Sequence, residues 1–479
     1  MKLNSPNGTP EATIPDEAAP AEADSWQRET RLSRGKSLRK ECQRSRHGEA
    51  ILGQGERDPM DLIEESNVGR LEKLLPIRFT RMAESAFSFF RGTAILQAHD
   101  LQGTPSTGIV VQCCGDCHLM NFGGFATPER VQIFDINDFD ETYPGPFEWD
   151  VKRLATSFEL AARWLEFTRS EAEPVVREVL EYYRTAMAEF AQMSVLETWY
   201  ARIPLNELVA HAHNPKYQKR LKKAIDKAAE NTSEHVFHKI TTTVHGKPRI
   251  VDSPPLLFHP DPTEFDTERD VAPFLENYRT SLPRERQFLF DRYRLMDSAC
   301  KVVGVGSVGT RCYIALFEGN QGDHLILQVK EARRSVFEGR AGAIGFANNG
   351  ERVVTGQRLM QSASDIFLGW SHGPHGDCYV RQMRDMKIAP NLAGSTPAML
   401  SGYAEMCGRA LARAHAKSGD AALISGYLGN GAAFDEAILA YAQGYADQVE
   451  MDYKAFKKAI RSGRFPIESF PSEIEQAIR

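Results

Sequence analysis

The segment CCGDCHLMNFGGFATPERVQIFDINDFDE, residues 113–141, constrains this chain more than any other part of it. It sets Asp116, His118 and Asn121 in a loop directly after the apolar run IVVQCC, and Asp135, Asp138, Asp140 and Glu141 at the end of a second apolar run, RVQIFDI. Both runs have the length and residue types of short strands, and GGFATPE between them reads as turn-like. A strand-loop-strand hairpin brings the two polar ends together. Carboxylates stacked at a strand end are unfavourable without a cation, so the fold must supply one or leave them all in water.

A loop Asp with an Asn and a second Asp nearby is the set that Mg²⁺-assisted phosphoryl transfer uses. In that reading Asp116 orients or deprotonates an acceptor hydroxyl, with His118 beside it as a second catalytic candidate. Asn121 and Asp135 or Asp138 then offer hard oxygen ligands to the metal. The same stretch also matches C-x-x-C-H at Cys114 to His118, the attachment pattern of c-type haem. Covalent haem attachment needs export, and the opening MKLNSPNGTPEATIPDEAAPAEADS carries no apolar signal region. A zinc site from Cys113, Cys114, Cys117 and His118 has crowded spacing and no second cysteine pair to complete it. Buried, inert thiols are the simpler reading of each cysteine.

A second informative stretch is KVVGVGSVGTRCYIALFEGNQGDHLILQVKEA, residues 301–332. Gly304, Gly306 and Gly309 form G-x-G-x-x-G, with Ser307 inside it. A dinucleotide-binding fold needs a helix after these glycines, but TRCYIALF is β-prone and runs into a Gly-Asn turn and a further strand. That favours a glycine-rich hairpin folded over phosphates, with Lys330 on the next strand placed to neutralise them. The carboxylate partner of Lys330 is expected to be Glu338 or, less readily, Glu331.

The rest of the chain bounds these readings. Its 479 residues are three times the usual domain increment of about 150. Residues 1–25 are rich in Pro, Ala and acid and read as a disordered tail, and 26–75 as a basic and helical segment. Residues 76–300 read as a helical lobe carrying the catalytic loop and the Asp cluster, with a helical insertion; the turn to helix after IVDSPPLLFHPDP is expected to last to about Cys300. Residues 301–390 read as a β-rich nucleotide-binding lobe, and 391–479 as helices returning to the helical lobe. The fold class expected is α+β. Basic runs at 28–46 and 216–227 read as solvated helix faces. In RMAESAFSFFRG, Phe87, Phe89 and Phe90 plug a core, while Arg81 and Arg91 fit ion-pair partners or phosphate contacts equally well. Lys+Arg of 58 against Asp+Glu of 64 leaves a net charge of -6, which offers no general attraction to nucleic acid or an anionic membrane. No apolar run approaches a membrane span, and a cytoplasmic location is expected.

The run CGDCHLMNFG, FDINDFDE and EWDVKRLA resembles the HGD-x-H-x-x-N, ID-F and D-L-A series of aminoglycoside-phosphotransferase-like and other protein-kinase-like enzymes. More closely, that run together with SAFSFFRG, VGVGSVGTRCY, QVKEA, GQRLMQSASDIFLGW, YVRQMRDMK and LARAHAKSGD resembles the uncharacterised bacterial family catalogued as domain of unknown function 2252, over roughly residues 50 to 460. The kinase-like resemblance implies a bilobal fold, ATP and Mg²⁺ as cofactors, and transfer to a small-molecule or protein hydroxyl. It implies Asp116 as catalytic Asp, Asn121 and Asp135 or Asp138 as metal ligands, the glycines as phosphate loop, Lys330 as phosphate-binding Lys and Asp150 as the Asp that braces the catalytic loop. The spacing of Asp135 from Asn121, close to that in such enzymes, favours it over Asp138. Cys114 departs from the usual His or Tyr. The order also departs, because the catalytic loop precedes the glycine loop; a circular permutation reconciles the two, with LARAHAKSGD as the helix that leads into the catalytic loop. An unpermuted reading with Asp420 as catalytic Asp lacks the following Asn. A kinase-fold AMP transferase and a nucleotide-binding pseudokinase acting through a partner are the rival functions.

Overall fold

The computed structural model describes residues 26–49, 57–207, 215–230, 233–259, 271–302, 304–341, 345–383 and 386–468. The expected tail at 1–25 lies outside the described residues. The chain is a mixed α and β structure, in which a helical body carries two short two-stranded ribbons, and a six-stranded antiparallel sheet with a third two-stranded hairpin packed on it stands beside the body.

Local signals start the principal helices. Phe147–Trp164 has Glu148 and Asp150 in its first turn, where negative charge suits the helix dipole. Arg169–Phe190 opens on a capping box of Thr168 and Glu171, and Pro397–Ser418 on the Thr396 side chain, with Pro397 at the first position. These helices, with Ala433–Arg461 and the short helices between Pro59 and Leu101, share one apolar core that includes Phe89, Phe158, Leu411, Ile438 and Phe456. The basic segment is not simply a solvated face. Helix Arg28–Leu38 packs on Ala421–Leu428, and Arg39 and Arg44 donate to the carbonyls of Tyr427 and Leu428 at 2.9 and 2.6 Å. They satisfy the open C-terminal end of that helix.

Strand β1 (Val110–Cys113) pairs with β4 (Tyr143–Pro146), and β2 (Phe122–Ala126) pairs with β3 (Gln132–Ile136). FGGFA is thus a strand rather than part of a turn. A side chain at Gly123 would collide with the Ile388 carbonyl, and Gly124 exchanges backbone hydrogen bonds with Ile388; the glycines serve close approach, not chain reversal. β5 (Thr241–Val244) and β6 (Lys247–Ile250) form a separate hairpin.

The large sheet holds β7 (Leu257–Phe258), β8 (Tyr293–Lys301), β9 (Cys312–Gly319), β10 (His324–Glu331), β11 (Gly369–Gly373) and β12 (Gly376–Gln382), in the order β11-β12-β10-β9-β8-β7. Strand periodicity sends Ala315 and Phe317 to one apolar cluster and Ile314 and Leu316 to another, so both faces are covered. The expected helix to Cys300 ends at Phe290, and YRLMDSACK is β8. Its alternation is hidden by a register shift between Leu295 and Asp297. The loop with Gly304, Gly306 and Gly309 joins β8 to β9 and opens no helix. Among the described residues no helix is long and apolar enough to cross a membrane.

Candidate functional site

The loop after β1 is held from behind by helix Phe147–Trp164. Asp150 accepts the N–H groups of Cys114 and Gly115 at 2.6 and 3.1 Å. Gly115 takes a φ of 83°, and a side chain there would strike the Glu141 backbone. From the other direction, His415 lies 3.3 Å from Asp150, and the Gln112 N–H donates to Ser418 at 3.2 Å. The end of helix Pro397–Ser418 thus abuts the start of this loop.

Asp116 projects from the loop with 18% of its side chain exposed, and Arg153 grips it through Nε at 2.6 Å and Nη2 at 2.5 Å. Burial raises the Asp116 pKa while Arg153 works against that rise. His118 Nε2 sits 3.7 Å from the Asp116 carboxylate. Burial, with Arg91 and Arg153 nearby, lowers its pKa far enough to keep the imidazole neutral. Asn121 donates Nδ2 to the Asp116 carbonyl at 2.8 Å, which leaves the amide oxygen as the end available to another partner. Arg153 is a site residue the sequence reading did not single out.

The carboxylates after β3 separate. Asp135, favoured as the metal ligand, has no exposure and is taken by Arg413 at 2.7 Å and by the Ser362 N–H and hydroxyl at 2.9 and 2.8 Å. It faces helix Pro397–Ser418, not the loop, because strand alternation turns it into the core. Asp138, beyond the strand end, lines the cleft together with Asp116 and Asn121, and burial, with Asp140 adjacent, raises its pKa.

Lys330 meets Asp140 rather than Glu338 or Glu331. Its Nζ donates to Asp140 at 2.6 Å, and the Ser307 and Tyr379 hydroxyls donate to the same carboxylate at 3.0 and 2.7 Å. Glu338 pairs with Arg334 at 3.0 Å and Glu331 with Arg311 at 3.4 Å; both leave Lys330 because they sit on the far side of β10 or beyond its end. Burial works against the Asp140 carboxylate, yet Lys330 and the Tyr379 hydroxyl outweigh it and hold the pKa at about 2. A folded-state pKa below the unfolded value of about 4 gives stability that is present in full above about pH 4 and is lost as pH falls through about 2. Lys330→Met should therefore flatten the acid limb of stability over that window, measured as urea midpoints against pH; an unchanged limb would remove the pair from the balance.

The cleft has two adjoining chambers with Gly304, Ser307 and Asp138 on the wall of both. The larger, about 620 Å³, also takes Lys330, Gln328, Gln382 and Met383. The smaller, about 370 Å³, takes Asp116, His118, Asn121 and Gly306. Gly309 stands outside both walls, against Arg70. Arg78 fastens the glycine loop by donating to the Val305 and Gly306 carbonyls at 3.2 and 2.8 Å, and Arg81 donates to that of Gly304. Among the described residues no three His, Cys, Asp or Glu side chains gather to hold a metal ion. Cys113, Cys114 and Cys117 are buried free thiols, and burial raises the pKa of Cys113 and Cys117.

No curated protein and no solved structure matches the chain. The model of one family, described as uncharacterized protein conserved in bacteria (DUF2252), matches residues 70–459, a span that includes the glycine loop, Lys330 and the whole Asp116 loop. The chain belongs to that family.

Proposed function

We propose that the chain is an ATP- and Mg²⁺-dependent phosphotransferase acting on a hydroxyl acceptor, with a kinase-like two-lobed fold in circularly permuted order. The observation that carries the reading is convergence. Lys330 and the glycine loop meet Asp140, 190 positions earlier in the chain, at 2.6 Å, on a cleft that also holds Asp116, Asn121 and Asp138. The permuted order is supported by the contact of Ser418 with Gln112, since helix Pro397–Ser418 then leads into β1 as the corresponding helix leads into a catalytic loop.

Asn121 and Asp138 suit Mg²⁺, which takes one or two protein oxygens and completes its shell with phosphates and water; bound there, it would neutralise charge on the β- and γ-phosphates. Lys330 offers a fixed cation to the phosphates, and the backbone of Gly304 to Ser307 covers them. Asp116 accepts the proton of the acceptor hydroxyl as its oxygen bonds to the γ-phosphorus, while the bond to the bridging oxygen breaks and its electron pair leaves with ADP. Arg153 fixes the direction of the Asp116 carboxylate, and neutral His118 supplies an uncharged hydrogen-bonding group beside it.

Mg-ATP should stabilise the folded protein by about 2.7 kcal/mol at a hundredfold excess over Kd, read as a rise in Tm. No rise at millimolar Mg-ATP rejects the reading. ATP labelled at both the α and γ positions, incubated with a cell extract, should pass the γ label; transfer of the α label instead identifies adenylyl transfer.

A further inference from the structure

On the wall of the smaller chamber several guanidinium groups stand unpaired by its carboxylates. Its carboxylates already have cations, with Arg153 for Asp116, Lys330 for Asp140, Arg311 for Glu331 and Arg334 for Glu338. Of the rest, Glu65 lies 3.7 Å from Arg340, Glu141 accepts the Val336 N–H at 2.7 Å, and Asp138 is the proposed metal ligand. Four guanidinium groups on the same wall, those of Arg70, Arg78, Arg91 and Arg333, have no carboxylate at ion-pair distance among the described residues. Three of them are occupied by neutral backbone carbonyls: Arg70 by Val308 at 2.6 Å, Arg78 by Gly92 at 2.7 Å and Arg333 by Ser66 at 3.0 Å.

Arg91 differs from these. It lies in the last turn of the helix Ala86–Gly92, its guanidinium lies 5.6 Å from the Phe87 ring centroid, and its buried Nε has no hydrogen-bond partner among the described residues. A buried donor without a partner is unfavourable, and this half-buried guanidinium stands on the chamber wall with Asp116 and His118. Burial lowers its pKa, and Asp116 only partly offsets that. A planar fork with unused donors on the chamber wall matches a carboxylate or phosphate.

We propose that the acceptor is anionic, a hydroxyl compound bearing a phosphate or carboxylate, and that Arg91 is the specificity residue that binds this group while Asp116 addresses the hydroxyl. The proposal rests on the phosphotransfer reading for the role of Asp116, but not for the anion site itself. Inorganic phosphate is the probe, titrated calorimetrically into the full chain saturated with the non-hydrolysable analogue Mg-AMP-PNP, so that the nucleotide phosphate positions are already filled. Phosphate should bind, and Arg91→Met should weaken it by about tenfold or more, in line with loss of a bidentate charged contact; AMP-PNP affinity should be unchanged. Arg91→Lys keeps the charge without the fork and should fall between the two. Equal phosphate affinity in wild type and Arg91→Met, or no phosphate binding by the wild type, overturns the proposal. A metabolite extract is split on an anion exchanger before the reaction: the unaltered protein should pass γ label from ATP to acceptors in the retained fraction, and transfer only to acceptors in the flow-through overturns it as well. Failure of Mg-AMP-PNP to bind would reject the phosphotransfer reading, and the same phosphate titration without nucleotide would still test Arg91.

Discussion

Asp116→Asn should lower phosphoryl transfer by about 10²–10⁴-fold, the usual contribution of a positioned general base, while Mg-ATP binding persists. The carboxylate acts on the acceptor and touches no proposed phosphate contact, so nucleotide affinity and turnover separate. Arg153 makes the control important. It loses a charged partner on substitution, and breaking one half of a buried pair costs about 3–5 kcal/mol. Here the loss should fall below that range, because Arg153 also donates to Gln97 and the Phe90 carbonyl at 3.0 and 3.1 Å and Asn retains an oxygen for it. Activity is therefore to be compared at a temperature where circular dichroism shows both proteins folded. Full activity in Asp116→Asn would remove this loop from the chemistry.

The parts of the site legible in the sequence are those fixed by local pattern. TRCYIALF after the glycines is β-prone, so the glycine loop belongs to a hairpin, as β8 and β9 show. The short run from Asp116 to Asn121 keeps its members together whatever the surroundings. What could not be read depends on distant partners. Strand alternation says that Asp135 faces one side of β3, but not that Arg413, 278 positions later, waits there. Lys330 likewise finds its carboxylate 190 positions upstream, and no spacing rule near Glu331 or Glu338 announces Asp140. β8 was hidden by its register shift. Arg153 had a usable signal: it lies one helical turn after Asp150, on the same face, so once Asp150 was set behind the loop, Arg153 was bound to reach it. For Arg91, weighed evenly from sequence between ion pairing and phosphate contact, no carboxylate lies at ion-pair distance among the described residues, and its buried Nε has no hydrogen-bond partner among them; that is the observation on which the anion-site proposal rests.

Asp135 provides the second large effect and separates metal binding from architecture. Both Asp135 and Arg413 have no side-chain exposure, and they meet at 2.7 Å where helix Pro397–Ser418 crosses β3. Among the described residues, Asp135→Ala leaves a buried guanidinium with only the Met360 carbonyl at 2.6 Å and orphans the Ser362 donors, so stability should fall by about 3–5 kcal/mol. Arg413→Met should lose a similar amount by stranding the carboxylate. Combining Asp135→Leu with Arg413→Met replaces the pair by apolar groups and should recover much of the loss, since a buried ion pair is often no more stable than well-packed hydrophobic residues. Urea unfolding of the singles and the double gives their coupling energy. The same proteins, kept folded, should need no more Mg²⁺ for ATP binding than wild type, whereas Asp138→Asn should need more. A stable Asp135→Asn protein with a raised Mg²⁺ requirement would return the metal to Asp135 and require β3 to turn its other face to the cleft.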